Sequence, residues 1–479
     1  MTWNLRGAIL SALPWAVGGR LVGRVVAWAG GLIVLRHVSP TDLGTMAIAA
    51  LMLETAATLR DLGLSSALVQ KAELEDQLLR QTVAITLFVS TLLASAFFIA
   101  APYLAAWFDM EALERVTRLI SLPVLAAALG VVPEAMLRRT MQFRLLAVID
   151  VLAIAGGGGT AIVMAVQGFG VWALATGLVV RTLIRTAMLP VAARRILLPA
   201  FDFRGMAGAL GFGSHVTARK ILALFTRQVD VLIVGRLLGP AVLGSYNLGM
   251  SLSKIVLRLA VQDLNAVAFP ALARVQTDFK LVGRYYRRAA ETLSLVVVPA
   301  AVGLFLLAGD LVPLLFGPQW TEVAVVIRFT SLLLPLYLLA RLLPSVLSAI
   351  GRPGLATRNS LVTLALFVPA MIAGARFGLE GAAAGYAASQ AIAALINLKL
   401  ALSAWNGRLR DELAAIMPAF ACGAIMLAAG IAVHALGDSA APSLSRLILT
   451  GLAASAAYGA ATILLNRNSL TKAVALVRR

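Results

Sequence analysis

Apolar stretches of roughly 20 residues follow one another along almost the whole chain, separated by short polar segments. A helix that crosses the hydrocarbon core of a bilayer needs about 20 mostly apolar residues, whereas a membrane β-barrel reads as short alternating segments. The stretches here are continuous and rich in Ala, Leu and Val, so they predict helices. Composition closes off the soluble alternative. With 60% hydrophobic and 13% charged residues among 479, and a mean hydropathy of +0.91, there is too little polar surface to cover a water-soluble protein of this length. The expected fold class is all-α, a polytopic integral membrane protein of about 14 transmembrane helices.

Spans are expected near 9–35, 42–68, 82–105, 116–136, 145–166, 171–192, 208–235, 242–268, 289–308, 322–348, 359–375, 381–402, 413–434 and 446–465. The loops they leave are short and carry unequal positive charge. One side holds Arg6; Lys71 and Arg80; Arg138, Arg139 and Arg144; Arg194, Arg195 and Arg204. It continues with Arg274, Lys280, Arg284, Arg287 and Arg288; Arg352 and Arg358; Arg408 and Arg410; and Arg467, Lys472, Arg478 and Arg479. The other side holds only Arg36, Arg115, Arg118, Arg236, Arg376 and Arg446. Lys and Arg in short loops mark the cytoplasmic side, so both termini are expected there and the span count is even. The same distribution explains the net charge of +19 without a nucleic-acid partner, because the basic residues form no stripe on a soluble face. The longest loop, about 269–288, is expected to be cytoplasmic, with Arg284–Arg288 as a topology anchor. Arg20 and Arg24 interrupt the first apolar stretch and no cleavage site follows it, so it is expected to be a retained span. The single cysteine, Cys422, leaves no partner for an intrachain disulfide or a CxxC metal site.

The chain also matches itself at an offset of 200. LIVLRHVSPTDLG at 32–44 aligns without a gap to LIVGRLLGPAVLG at 232–244, with Arg36/Arg236, Pro40/Pro240, Leu43/Leu243 and Gly44/Gly244 identical. Leu, Ile and Val matches are common in membrane proteins; Arg, Pro and Gly in register are not. Six expected spans separate the copies, which keeps both halves in one orientation and makes the repeat parallel. The expected architecture is two pseudo-symmetric six-helix lobes, 1–205 and 206–405, followed by two extra spans and a cytoplasmic tail in 406–479. Two lobes facing a central cavity form a transporter plan.

Ionisable groups inside spans are costly and usually face a cavity or a partner. Spans 1, 2, 7 and 8, which correspond between the lobes, carry all of those singled out. Arg20, Arg24, Arg60, Arg219, Lys220, Arg227, Lys254 and Arg258 are candidates to contact an anionic substrate, since guanidinium groups pair with phosphate oxygens. Glu54, Asp61, Asp230 and Asp263 are candidates for binding a coupling ion. The competing structural reading pairs Arg227 with Asp230 one turn away and lets Arg20, Arg60 and Arg258 snorkel to the cytoplasmic surface. Gly156–Gly159 lies in an apolar span and favours close helix packing over phosphate binding. His37, His215 and His434 are too scattered for a metal site, and no nucleophile–base set is visible. Neither catalysis nor a cofactor is expected.

The residues around the repeat carry a family resemblance. Arg36-x-x-x-Pro40-x-x-x-Gly44 is followed by Asp61-Leu62-Gly63-Leu64-Ser65-Ser66-Ala67 and Gln70. The second copy reads Val229-Asp230-x-Leu232-Ile233-x-Gly235, then Leu238-Gly239, Leu243-Gly244 and Tyr246, with Phe269-Pro270 and Phe316-Gly317-x-x-Trp320 beyond. Over roughly residues 5–405 this pattern resembles the Wzx-type polysaccharide flippases of the multidrug/oligosaccharidyl-lipid/polysaccharide exporter superfamily. The resemblance implies alternating access in the bacterial inner membrane that translocates an undecaprenyl-pyrophosphate-linked oligosaccharide for capsule, O-antigen or exopolysaccharide synthesis. The implied partners are that lipid-linked substrate, membrane lipids and polysaccharide polymerase or chain-length machinery. A cation-coupled drug antiporter of the same superfamily is the first rival and predicts an acidic cavity. A membrane enzyme of glycan assembly is the second and predicts a large outer loop.

Overall fold

The computed structural model describes residues 25–70, 75–195, 197–202, 224–226, 228–255, 278–351, 353–403, 407–436 and 443–465, with 18, 23 and 221. No strand occurs among the described residues. In the first part of the chain the helices are α1 (Val25–His37), α2 (Pro40–Asp61), α3 (Leu64–Gln70), α4 (Asp76–Phe108), α5 (Glu111–Ala126), α6 (Val131–Arg139), α7 (Phe143–Val166), α8 (Val171–Ala192) and α9 (Gln228–Ile255). They continue as α10 (Phe279–Phe316), α11 (Val323–Ser331), α12 (Leu334–Ala349), α13 (Pro353–Ala375), α14 (Gly378–Leu402), α15 (Leu409–Leu436) and α16 (Leu444–Leu465). Eleven helical runs among the described residues are long and apolar enough to cross a membrane, and the bent pair α11–α12 would make a twelfth. The start of the first expected span and parts of the seventh and eighth lie outside the described residues. An all-helical multi-pass membrane protein is therefore what the chain forms.

Two compact units divide the chain, Met1–Gly244 and Ser245–Arg479. Each repeats the same order of elements. A long helix (α4, α10) ends at a positive-φ residue, Asp109 at 56° and Gly317 at 107°. An irregular span follows, α5–α6 with a 3₁₀ turn inside it and the bent pair α11–α12, and then a tight helical hairpin (α7–α8, α13–α14). The span expected at 116–136 is one helical run, Glu111–Arg139, and the span expected at 322–348 is bent. The first tightens to a 3₁₀ turn at Ala127–Gly130 between α5 and α6 without leaving the run; the second bends by 56° between α11 and α12. Proline explains both irregularities. Pro133 and Pro335 have no N–H to give to the carbonyl four residues earlier, and their rings crowd it, so the helix gives way just upstream.

Small residues let the hairpins close. Gly157 of α7 lies against the Gly177 carbonyl of α8, and Gly374, Gly381 and Gly385 set α13 against α14 with no room for a Cβ. Within the second unit α15 and α16 pack on α10. Leu306, Met426 and Ala454 form the apolar contact. Arg446 reaches the buried Asp310 carboxylate, with Nε 3.0 Å from Oδ2, and Arg287 donates to the buried Glu412 at 3.1 Å. The segment expected as a loop through residue 288 is helical from Phe279 onward, so Arg284, Arg287 and Arg288 sit on the first turns of α10. Arg287 then serves as an interhelix tie, because the helix projects it toward Asp411 and Glu412 on α15.

Candidate functional site

The repeated motif meets its own copy. Ser39 caps α2 through a reciprocal box: its hydroxyl accepts from the Asp42 N–H at 3.2 Å, and its N–H donates to Asp42 Oδ2 at 2.9 Å. Pro40 then starts the helix, where its missing N–H costs nothing. In the second copy Gly239 takes φ 80° directly before Pro240, so a left-handed residue interrupts the helical run at the matching place. Inside the first unit, α2 crosses the residues after Pro240 at their glycines. A Cβ on Gly44 would overlap the Pro240 carbonyl and lie 3.0 Å from the Gly244 nitrogen. A Cβ on Gly244 would overlap the Pro40 carbonyl and lie 3.0 Å from the Gly44 nitrogen. The contact is reciprocal backbone on backbone, of the Cα–H···O kind. Around it Ile48 and Leu243 each come within 3.1 Å of a Cβ placed on Gly235, and Arg236 lies over the Trp107 ring at 5.4 Å. Asp42 accepts a further bond from Val171 N at 2.9 Å, which fixes the start of α8 to the start of α2.

Five of the residues expected at a binding site can be placed. Arg60 is partly buried near the end of α2; it donates to the Val124 carbonyl at 3.3 Å, and its Nε is buried with no hydrogen-bond partner among the described residues. Asp61 accepts from Ser65 N at 3.3 Å and from the Ser65 hydroxyl, spanning the turn where Leu62 and Gly63 have positive φ. Glu54 is exposed and accepts from Gln228 at 2.8 Å, joining α2 to α9. Asp230 is buried in α9. Lys254 belongs to the second unit, with Nζ 5.6 Å from the centre of the Tyr386 ring. Glu54, Arg60 and Asp61 share α2, and Glu54 reaches α9 through Gln228. Arg20, Arg24, Arg219, Lys220, Arg227, Arg258 and Asp263 lie outside the described residues.

A second group of charges pairs between helices away from the repeat. In the first unit Arg185 of α8 bridges two carboxylates, with Nη1 3.0 Å from Glu134 of α6 and Nε 2.8 Å from Asp150 of α7. Arg138 closes on the same Glu134 at 2.7 Å. One turn before Arg185, Arg181 is exposed. In the second unit His434 Nδ1 lies 3.9 Å from Asp310 beside the Arg446 pair. The sequence signal for Glu134, Asp150, Arg181 and Arg185 was a charge inside an expected span, as for the candidates of spans 1, 2, 7 and 8, whereas Arg138, Asp310 and Arg446 fall in or beside the expected loops.

The second unit also holds an apolar cavity of about 520 Å³ between α10, α15 and α16, walled by Pro299, Gly303, Leu306, Met426, Gly451 and Tyr458 among others. The Tyr458 hydroxyl donates to the Leu295 carbonyl at 3.1 Å, which leaves the ring to line the apolar space. No group of His, Cys, Asp and Glu among the described residues could hold a metal ion.

Residues 33–325 match the family described as "Polysaccharide biosynthesis protein". The chain is 22% identical over 401 residues to the lipopolysaccharide biosynthesis protein WzxC of Escherichia coli K12, covering 82% of this chain and 81% of that one. It is 25% identical over 288 residues to the succinoglycan biosynthesis transport protein ExoT of Rhizobium meliloti, covering 60% and 58%. Among solved structures, the lipid II flippase MurJ in an inward closed conformation superposes with a TM-score of 0.74 at 15% identity, covering 95% of this chain and 99% of that one.

Proposed function

Since the chain belongs to the polysaccharide biosynthesis protein family, we propose that it is a flippase that moves a polyprenyl-pyrophosphate-linked oligosaccharide from the inner to the outer leaflet of the bacterial inner membrane. The observation that carries this reading is the family match through the membrane-spanning helices, which extends to relatives named for lipopolysaccharide and succinoglycan biosynthesis. The fold is shared with a lipid II flippase, and basic side chains stand within spans where guanidinium can pair with phosphate. Transport of this kind needs no covalent step, so the protein is not an enzyme in this reading. Both termini lie in the cytoplasm, as the Lys/Arg distribution implies. The lobes are 1–205 and 206–405, with 406–479 as the appended pair and tail. Arg20, Arg24, Arg60, Arg219, Lys220, Arg227, Lys254 and Arg258 contact the pyrophosphate. Glu54, Asp61, Asp230 and Asp263 are the places for a coupling ion. The polyprenyl chain stays in the lipid between spans. A polymerase acting on the delivered repeat unit is the expected functional partner.

The test is translocation of a lipid-linked glycan in proteoliposomes, comparing the natural protein with a variant carrying Arg24, Lys220, Arg227 and Arg258 all replaced by Gln. Transport by the first and loss in the second support the reading and the site together. Equal transport by both removes those four residues from the site. Movement of small cations against a proton gradient, without glycan transport, would replace the reading with a drug antiporter.

A further inference from the structure

Arg181 occupies a position that membrane topology does not require. It is the middle of α8, about 15 Å along the axis from either end at 1.5 Å per residue, further than an arginine side chain reaches toward an interface. A charge at that depth costs roughly 3 kcal/mol on an insertion scale, so it persists where water or an anion meets it. The corresponding helix of the second unit, α14, has no Lys or Arg before Lys399.

The surroundings of α8 show which way Arg181 points. Leu183 and Ala187 are exposed and apolar, and at 100° per residue they lie about 160° and 120° around the helix from Arg181. That exposed apolar face is the one suited to lipid. To one side of Arg181, Gly177 and Ile184 pack against α7, at Ala161 and Gly156. To the other side, Leu189 approaches Gly130 at the 3₁₀ turn between α5 and α6, with 3.1 Å to a Cβ placed there. Arg181 and Arg185 therefore share the sector between α7 and α5–α6, turned away from lipid. Arg185 is committed there to Glu134 and Asp150. Arg181 is exposed in the same sector and has no hydrogen bond or ion pair among the described residues. Its stem is held against Gly157, a Cβ on which would lie 2.5 Å from the Arg181 Cβ.

We infer that Arg181 is an anion-contacting residue of the transport path, taking a phosphate or carboxylate oxygen of the passing substrate. The inference rests on the flippase reading. Arg185 is a positioning residue in this arrangement: it holds the two nearby carboxylates, Glu134 and Asp150, as its own partners. The anion has two chemical sources, the pyrophosphate of the lipid carrier and an acidic sugar of the glycan.

Two substrates separate the sources in a proteoliposome translocation assay: a polyprenyl pyrophosphate bearing a neutral oligosaccharide, and the same carrier bearing one hexuronic acid. R181Q should raise the half-saturating concentration by about tenfold to a hundredfold, the value of one charge-assisted hydrogen-bonded contact. A loss on both substrates assigns the contact to pyrophosphate; a loss on the acidic glycan alone assigns it to the sugar. R181K keeps the charge but loses the planar fork and should fall between R181Q and the natural protein. It also carries the test if R181Q does not yield folded protein. Natural protein that transports both substrates, with R181Q or R181K unchanged on each, would overturn the inference and leave the flippase reading standing. Natural protein that transports neither would remove the reading itself, and the inference with it.

Discussion

Replacing Gly44 by Ala puts a methyl group where the Pro240 carbonyl now sits. Backbone cannot step aside as the tip of a flexible side chain can, so the two segments must move apart by about 1 Å or more. Overpacking of this kind costs about 1–3 kcal/mol. If the crossing exists only in the closed state of an alternating cycle, the whole cost falls on that state. The closed-to-open ratio should then drop by about 5- to 150-fold. Gly244→Ala meets the Pro40 carbonyl in the mirror relation and should have the same effect. Because one separation relieves both clashes, the double substitution should cost little more than either single one, against the additivity expected of independent sites. The assay is thiol labelling at Thr45, which is 2% exposed and of nearly cysteine size. In a C422A background, T45C should resist a membrane-impermeant reagent and become reactive when Gly44 or Gly244 carries a methyl group. Unchanged labelling with an unchanged unfolding temperature would refute a tight crossing. Fully additive effects would refute a shared one.

Other substitutions test the packing and the ion pairs. G157A should destabilise the first unit by about 1–3 kcal/mol in chemical unfolding, because the Cβ meets Gly177 and Arg181, whereas G158A, with nothing within 4 Å of its Cβ, should be neutral or slightly stabilising. R446Q leaves the Asp310 carboxylate, 1% exposed, without its main counter-charge; thermal unfolding should show a loss of about 3–5 kcal/mol, largely recovered in R446Q/D310N. R185Q and E134Q should each cost about 1 kcal/mol, discounted because both side chains remain partly exposed, and the double variant should cost less than their sum. A cysteine at Phe169, exposed in the α7–α8 turn, should label from outside intact cells, and one at Thr140 only after permeabilisation; the reverse pattern would invert the assigned topology.

Much of this protein is written locally in its chain. An apolar run long enough to span a bilayer has to become a helix, because lipid offers no partner for free backbone groups. That single constraint makes α4, α7, α8, α10 and α13–α16 legible without a structure. The repeat was legible too, since Arg, Pro and Gly in register mark equivalent turns whatever packs around them. What the sequence could not show is which face of each helix meets which neighbour. Asp310 and Arg446 stand 136 residues apart, and Glu134, Asp150 and Arg185 come from three different spans. Their meeting depends on helix rotation and crossing, which no periodicity records. The same holds for Gly44 and Gly244. Sequence identified them as equivalent positions, but only the packed backbone made them each other's partner, because a close crossing selects the residues that have no side chain to keep the helices apart.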